Sequence, residues 1–495
     1  MNAQAPTMAK PLRWPLAVQT SNRGESFLQD ARLVNAYGEQ DPNTGEWVIQ
    51  QRAGYLLDYT VATPYGIGSG LYTFSQQGVA PAVFSIFSSI AAGASMFKDG
   101  AAFGTVGGLG RMAPGLPYSF VVDQAAAPDQ HLIFSNNQSI YWTTGASGYN
   151  LATTPNTAAI VPGLAYLDQT IYFMDYAGNI WGSNFNDPTT WNALNVVIAN
   201  SIPGKPIALA QQLNYVLALK ENSMEVFYDA ANAVGSPLSP IAGALSHYGA
   251  VPGTVQVIDD VVLYATSNYS NSPQVVRVDN LQISVISIPP VERLLDSNPT
   301  FSADDPAYIP FFSWVFKLGG HRFYGLSYTG YTQSSANLTL VYDIDQKLWY
   351  QWTDQNGNFW PVIGTAFNSS GQHVLQNYEG GTICLLDGSY IYNTDNGNAV
   401  PVEIYTPNAD FGTRRRKVLH RMYFNADQVQ AQLLVSHSDD DYKHWSVART
   451  CNLNKRTPYI DSEGTFTRRA YHFKKQAATP FRLRSVDLQL DFGTI

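Results

Sequence analysis

A short strand–turn–strand unit recurs along this chain, and that recurrence constrains the fold more than any other feature. The clearest copy lies at 164–191. Ile171-Tyr172-Phe173-Met174 is an apolar run, Tyr176-Ala177-Gly178-Asn179 reads as a turn, Ile180-Trp181 returns, and Asp187-Pro188 reads as the close of the piece. Aromatic and β-branched runs punctuated by Gly, Asn and Asp-Pro predict antiparallel strands. The same grammar follows Val83, Leu132, Tyr215, Val262, Phe323 and Val374. With Ile171 these make seven anchors, separated by 49, 39, 44, 47, 61 and 51 residues. A period of about 40–50 residues with several strands per unit predicts a β-propeller or a similar radial array. A lone sheet of this kind cannot bury both faces, whereas packing between neighbours buries them and ring closure removes exposed ends. WD and kelch signatures are absent, so the rhythm carries the expectation of six or seven blades, seven by anchor count. Stacked β-sandwiches are the competing arrangement.

Composition sharpens this. Only 14% of the 495 residues are charged while 13% are aromatic. Tyr, Gly, Asn, Ser, Thr and Gln supply the surface instead, which suits strands and turns and predicts very little helix. Two cysteines, Cys384 and Cys451, make neither a disulfide framework nor a metal set and read as free thiols of a reducing compartment. The first residues carry no apolar core of signal-peptide length. The uncharged stretch 79–97 is long enough to consider as a membrane span, but Pro81, Gly93 and its serines favour strands of the first repeat.

Charge is unevenly distributed. The 85 residues from Phe411 onward hold 15 basic and 8 acidic residues, a net of +7, and the first 410 hold 14 and 30, a net of −16. An acidic body with a basic end points to a partner for one end. The expected domains are an N-terminal arm over 1–60 that forms part of a platform, a propeller over 61–400, and a C-terminal β-sandwich-like platform over 401–495. Alternation in Gln432–His437 and Arg482–Phe492 supports strands in the last block. The arm and that block both lie outside the array and are expected to combine into one domain.

The arm carries a pattern of its own: Arg32, an apolar pair, Asn35, Tyr37 and Glu39, then Arg52-Ala53-Gly54. Here the chain resembles the tail-hub or nozzle proteins of short-tailed bacteriophages, also called packaged-DNA stabilisation proteins. Ala53 stands where that family's pattern has proline, but Gly54 can still take a positive φ. In motif the resemblance covers some 25 residues, and in layout the whole chain. It implies a structural virion protein without catalytic residues, cofactor or metal. It further implies a homo-oligomer, a hexameric ring, seated on the adaptor and portal ring proteins, with a needle, plug or fibre below. Double-stranded DNA would pass through without sequence-specific binding, and no stable membrane insertion is expected. Assembly would take place in the host cytoplasm.

Ser438-Asp439-Asp440-Asp441-Tyr442-Lys443-His444-Trp445 resembles an Asp-box hairpin, with Tyr442 in place of its Gly. Its role is local: an Asp ties the turn and the Trp packs beneath. Three successive Asp also suggest a calcium loop, but the spaced ligands and closing Glu are missing. A propeller sialidase or another glycosidase needs an arginine clamp or two facing carboxylates. The array offers only Arg111, Arg277, Arg293 and Arg322, and its acidic pairs Asp259-Asp260 and Asp304-Asp305 read as turns. A carbohydrate-binding propeller is a further alternative and needs exposed aromatic platforms. Gly104–Gly110 and Gly204-Lys205-Pro206 lack the P-loop ending. No histidine pair has metal-ligand spacing.

The strongest charge run is Arg414-Arg415-Arg416-Lys417 with Arg421, joined by Arg468-Arg469 and Lys474-Lys475. Phe466, Tyr471 and Phe473 interleave the second part. Such a pattern fits nucleic acid, an acidic protein partner or a solvated strand face. The expectation is that these residues dock the protein onto a neighbouring ring.

Overall fold

The computed structural model describes residues 12–20, 30–89, 92–104, 117–126, 128–267, 273–296, 311–328, 338–386 and 393–493. Among them one helix, Pro289–Asp296, stands against an otherwise all-β fold. The chain divides into two compact units. The first comprises 1–54, 346–357 and 389–495, and the second 55–345 and 358–388. They are called platform and propeller below.

The propeller has seven blades. Blade 3 is a meander of Ile160–Leu167, Thr170–Asp175, Asn179–Asn184 and Asp187–Ile198. Asp187-Pro188 therefore begins the fourth strand instead of closing the unit: Phe185 and Asn186 make the turn, with Asn186 at φ 55°. Blades 1, 2, 4 and 5 are four-stranded sheets over 67–102, 119–151, 206–240 and 256–285. The propeller's part of blade 6 is Phe311–Leu318, His321–Tyr328 and Leu338–Asp343. Blade 7 takes Val362–Phe367, His373–Asn377 and Thr382–Leu386, and its outer strand comes from the start of the unit. Tyr55–Thr60 pairs antiparallel with that last strand, Tyr55 opposite Leu386 and Thr60 opposite Thr382. This pairing closes the ring with an early strand, so neither end of the array is left as an open sheet.

All seven anchors fall in the second strand of their blades. The reason is packing on both faces. Side chains of a strand alternate between faces. Ile171 and Phe173 pack with Ile133 and Ile140 of blade 2, while Tyr172 and Met174 pack with Val216 and Phe227 of blade 4. Likewise Phe84 and Ile86 face blade 2 while Val83 and Phe87 face blade 7. A strand buried on both faces reads as a continuous apolar run.

The blades are also clasped by neutral side chains. Ser119 of blade 2 accepts a 2.6 Å bond from the Gly163 N–H of blade 3. Gln211 of blade 4 accepts one at 2.9 Å from Tyr166. Gln256 of blade 5 donates to the Ser313 carbonyl of blade 6 at 2.8 Å. Gln376 of blade 7 accepts from Gly70 and donates to the Ile86 carbonyl of blade 1, at 3.0 and 2.8 Å. Gly163 has φ 103°, and a Cβ there would lie 1.7 Å from the Leu209 carbonyl oxygen, so only glycine permits that approach of blades 3 and 4.

The platform combines the arm with the C-terminal block in two sheets. One orders Ala36–Gln40, Trp47–Gln51, Arg482–Phe492, Lys417–Ala426 and Tyr459–Phe466, with Leu12–Arg13 paired to Arg482–Phe492. The other runs Leu348–Trp352, Arg32–Val34, Val402–Tyr405, Ala470–Lys475, Gln432–Ser438 and Arg449–Asn452. Phe424 of the first sheet meets Phe473 of the second edge to face, 5.4 Å between centroids. Trp14 is buried, donates to Thr406 Oγ1 at 2.9 Å and stands edge-on to Tyr471 at 4.7 Å.

Candidate functional site

The first candidate is the axial cavity of the propeller. The first strands of all seven blades line a space of about 500 Å³. Its walls are Gly, Ala, Val, Leu, Ile and Pro with Tyr72, Tyr118, Ser119, Phe120, Trp314, Gln211, Gln256 and Thr365, and no lining side chain is charged. Tyr72 and Phe120 stack at 5.4 Å. The glutamines point their polar ends at neighbouring blades, as above, so the cavity presents neither an acid–base pair nor an arginine clamp. A glycosidase built on two facing carboxylates finds no support there. Asp259 and Asp260 form a blade 5 turn, where Asp259 pairs with Lys317 and, at 3.3 Å, with Arg322. These partners hold the Asp259 carboxyl below its usual range, the Lys317 hydrogen bond contributing most. Arg322 also meets Asp345 at 2.7 Å, and Arg277 pairs with Asp279. Asp304-Asp305, Arg111 and residues 105–110 of the Gly-rich piece lie outside the described residues. Among the described residues no group of three or more His, Cys, Asp or Glu could hold a metal, and no helix is long and apolar enough to cross a membrane. The stretch 79–97 carries strands Ala82–Ser89 and Gly93–Lys98.

The second candidate is the arm motif, which the platform gathers into a buried knot. Arg52 is 1% exposed and all five of its guanidinium donors are satisfied. Nε bonds Asn35 Oδ1 at 2.8 Å; the terminal nitrogens bond Asp395 Oδ1 and Oδ2 at 3.0 and 2.5 Å and the Ala53 and Thr353 carbonyls at 3.0 and 2.8 Å. Asn35, fully buried at φ 55°, donates through Nδ2 to Thr353 Oγ1 and the Pro401 carbonyl at 2.8 and 2.9 Å. The left-handed backbone at this position suits Asn better than most residues. Gly54 is not left-handed, contrary to the expectation for its turn. What excludes a side chain is proximity, because a Cβ would meet the Thr394 carbonyl oxygen at 2.2 Å. Arg32 is nearly buried with its guanidinium 3.5 Å above the Tyr405 ring. Glu39 accepts from Gln50, and Tyr37 is half-buried in the same strand. The motif thus reads as architecture. Its acidic partner Asp395 lies 343 residues from Arg52 and has no local signature.

The third candidate is the basic block, and the structure sorts its members. Lys417 is fully buried and donates to the carbonyls of Thr413, Arg415 and Thr467 at 2.5, 2.9 and 2.8 Å. Arg469 is 2% exposed, pairing with Asp439 at 2.7 Å. Lys475 is fully buried against Gln51 Oε1 at 2.8 Å and the Thr479 carbonyl, and burial pushes its amine down to about 7. Lys474 pairs with Glu403 at 2.7 Å. Burial alone would raise Glu403, but hydrogen bonds from His472, Lys474 and Tyr405 outweigh it and hold the carboxyl far below its usual range. Arg421 pairs with Asp461 and stacks 4.3 Å over Tyr459; Arg468 reaches Asp441 at 3.1 Å. Phe466, Tyr471 and Phe473 are core residues, so the basic–aromatic stretch is the inward face of a strand, not an exposed stacking surface. Arg414, Arg415 and Arg416 stand exposed on a turn, and none of the three makes an ion pair among the described residues.

The Asp-box-like hairpin belongs to this platform. As the hairpin pattern expects, an Asp ties the turn: Asp440 accepts from the His444 N–H at 3.0 Å and from Ser438 Oγ at 2.9 Å. Asp441 and Tyr442 take φ 67° and 68°, and Tyr442 rather than Trp445 is the buried ring, donating to the Thr406 carbonyl at 2.8 Å. Each of the three Asp has its own basic partner, Arg469, His444 or Arg468.

The fold defines an all-β protein, a β-propeller carrying a sandwich-like second domain. Residues 54–308, just over half of the chain, match the phage stabilisation family, described as bacteriophage P22 Gp10, β-propeller. The chain belongs to that family. It is a structural phage tail protein of the virion that stabilises packaged DNA. No curated protein matches. Among solved structures the chain is similar to U3-55K (9% identity, 66% of this chain and 97% of that one, TM-score 0.41). It is also similar to the N-terminal domain of Nup159 (10% identity, 72% and 99%, TM-score 0.38) and to the computationally designed Ika8 protein (12%, 66% and 98%, 0.37). These TM-scores lie below 0.5, so the fold rests on strand order and on the family match.

Proposed function

We propose that this protein is the subunit of a tail nozzle: a homohexameric ring below the portal and its adaptor that continues the DNA exit channel, helps retain the packaged genome and supports distal tail parts. The observation that carries the reading is family membership combined with the charge division between the units. Over their bounds the propeller holds 8 basic and 21 acidic residues, a net of −13, and the platform 21 and 17, a net of +4.

The DNA path lies between subunits in this reading. A cavity of about 500 Å³ is the size of a small-molecule pocket, and a duplex whose major groove alone is about 12 Å wide does not enter it. Several copies must therefore enclose the conduit. The turns joining first to second and third to fourth strands of the blades share one rim, and Asp recurs at it: Asp129, Asp168 and Asp260 in the former turns, Asp99 in the latter, with Asp229 and Asp279 ending third strands. Asp99 also has a local use, accepting from the Val83 N–H at 2.8 Å. Lys317, Arg322 and Arg277 lie at the same rim and neutralise part of it, and the propeller's net charge of −13 favours a wall that repels phosphate. Such a wall lets DNA slide, because phosphate contacts would hold it. The basic platform, with the arm alongside, is the end that docks to the adaptor.

The test is the mass of the purified chain alone and with its adaptor ring. A ring that co-assembles supports the reading. A strictly monomeric chain that never co-purifies with a ring partner sinks it.

A further inference from the structure

Of nine cations in the basic block, Lys417, Arg469 and Lys475 are buried, while Arg421, Arg468 and Lys474 pair with Asp461, Asp441 and Glu403. Only Arg414, Arg415 and Arg416 stay exposed without an ion pair among the described residues, and they are consecutive on one turn.

That turn is held from several sides. Phe411 and Gly412 are left-handed, at φ 52° and 72°. The Asp410 carboxylate accepts from the Gly412 N–H at 2.9 Å and its carbonyl from the Thr413 N–H at 3.1 Å. The Thr413 hydroxyl accepts from the Arg415 N–H at 3.2 Å, and the Arg416 carbonyl accepts from the Gly493 N–H at 2.8 Å. Beneath the turn, the fully buried Lys417 ammonium donates to the carbonyls of Thr413 and Arg415 on either side of Arg414, and to Thr467 across the sheet. Three carbonyls satisfy all three donors of an ammonium. A buried cation used in this way fixes backbone, and a fixed turn loses less conformational freedom when it binds.

We propose that the 410–417 turn is a preorganised carboxylate-recognition element, in which Arg414, Arg415 and Arg416 grip an acidic protein surface on the adjoining ring and Lys417 positions them from below. This rests on the nozzle reading and names the partner of its docking end. Guanidinium forks match carboxylates two bonds at a time. Duplex DNA is the less suited ligand, because a conduit gripping phosphate would slow its cargo.

The experiment measures binding of the full-length chain to two probes, a poly-glutamate peptide and a duplex oligonucleotide, across a salt series. The wild type is expected to bind the peptide more tightly than the duplex. Arg414→Glu/Arg415→Glu/Arg416→Glu is expected to weaken peptide binding by about tenfold or more, as three pairs of up to about 1 kcal/mol imply. Lys417→Met keeps the three surface charges. It is expected to weaken binding severalfold with an unchanged salt slope, whereas the triple change flattens the slope. Should Lys417→Met fail to fold, Gly412→Ala strains the turn in open space and takes its place. Peptide binding that ignores the triple change overturns the proposal, as does tighter arginine-dependent binding of the duplex. Full affinity in both turn variants overturns the positioning role. These readouts use the chain alone, so they stand apart from whether it forms a ring with an adaptor.

Discussion

In the propeller, Gln376 spans two blades with both ends of a neutral amide; in the platform, Arg52 does the corresponding work with a fully buried guanidinium held by Asp395. The contrast extends through both units. Blade interfaces are apolar layers stitched by Ser, Thr and Gln, with Lys220–Glu225 at 3.2 Å a buried ion pair among them. The platform instead buries Arg52, Lys417, Arg469 and Lys475. A repeated blade can solve its polar problem locally, because each neighbour offers the same strand edge. The platform assembles strands from distant parts of the chain, and the buried Arg52–Asp395 pair ties together segments 343 residues apart. Such a pair adds little net stability over a well-packed apolar replacement, but removing one partner is costly.

The largest expected effects test that contrast directly. Asp395→Ala leaves Arg52 charged, buried and unpaired, and is expected to destabilise the platform by about 3–5 kcal/mol. Phe173→Ala removes a fully buried ring from the layer between blades 2 and 3 and is expected to cost the propeller about 3–5 kcal/mol. Denaturant unfolding followed by hydrogen exchange in each unit should place each loss in its own unit. The double replacement Arg52→Met/Asp395→Leu separates the cases further. It should recover much of the Asp395→Ala loss, whereas no second change at a distance restores Phe173→Ala. If Asp395→Ala were as mild as a surface change, the knot would not hold the platform.

A smaller effect is expected for the clasps. Gln376→Leu keeps most of the volume and loses bonds to Gly70 and Ile86, at a cost of about 1–3 kcal/mol. Local opening between blades 7 and 1, read as faster amide exchange at Gly70, should accompany it. Unchanged exchange there would show that the apolar layer alone holds the ring.

The contrast also explains what could be read in the sequence. Blade count was legible because second strands are buried on both faces, so Ile171–Met174 and its counterparts stand out as unbroken apolar runs. Strand ends were less legible: Asp187-Pro188 has turn chemistry yet sits on an outer edge, where proline is tolerated in a strand. In the platform, Arg52 and Asn35 were visible as a pattern, but Asp395 was not, since its role depends on a fold-level meeting. The basic–aromatic stretch carried a signal that its composition obscured. Tyr471, Phe473 and Lys475 occupy alternate positions and are all fully buried, so one face of that strand is core and Lys475 belongs to it.

Lys475 yields the most specific prediction, a pH dependence confined to the platform. Its folded amine titrates at about 7, lowered by burial, against about 10.4 for an unfolded lysine. Below pH 7 both states carry the proton, and the full desolvation cost opposes folding. Between about pH 7 and 10 the unfolded chain holds a proton that the folded one has released, so stability rises with pH, at up to about 1.4 kcal/mol per unit. Gln51 Oε1 and the Thr479 carbonyl accept from either form of the amine, so the bonds survive deprotonation. Lys475→Met removes the titrating group while keeping the stem among Val402 and Leu433, its register partners. The variant should be more stable than wild type near pH 6 and should lose the rise above pH 7, measured by platform unfolding at a series of pH values. A wild-type platform whose stability is flat or falling from pH 7 to 9, with Lys475→Met identical to it, would mean that this amine is charged in the fold and that the platform tolerates a buried cation without a carboxylate.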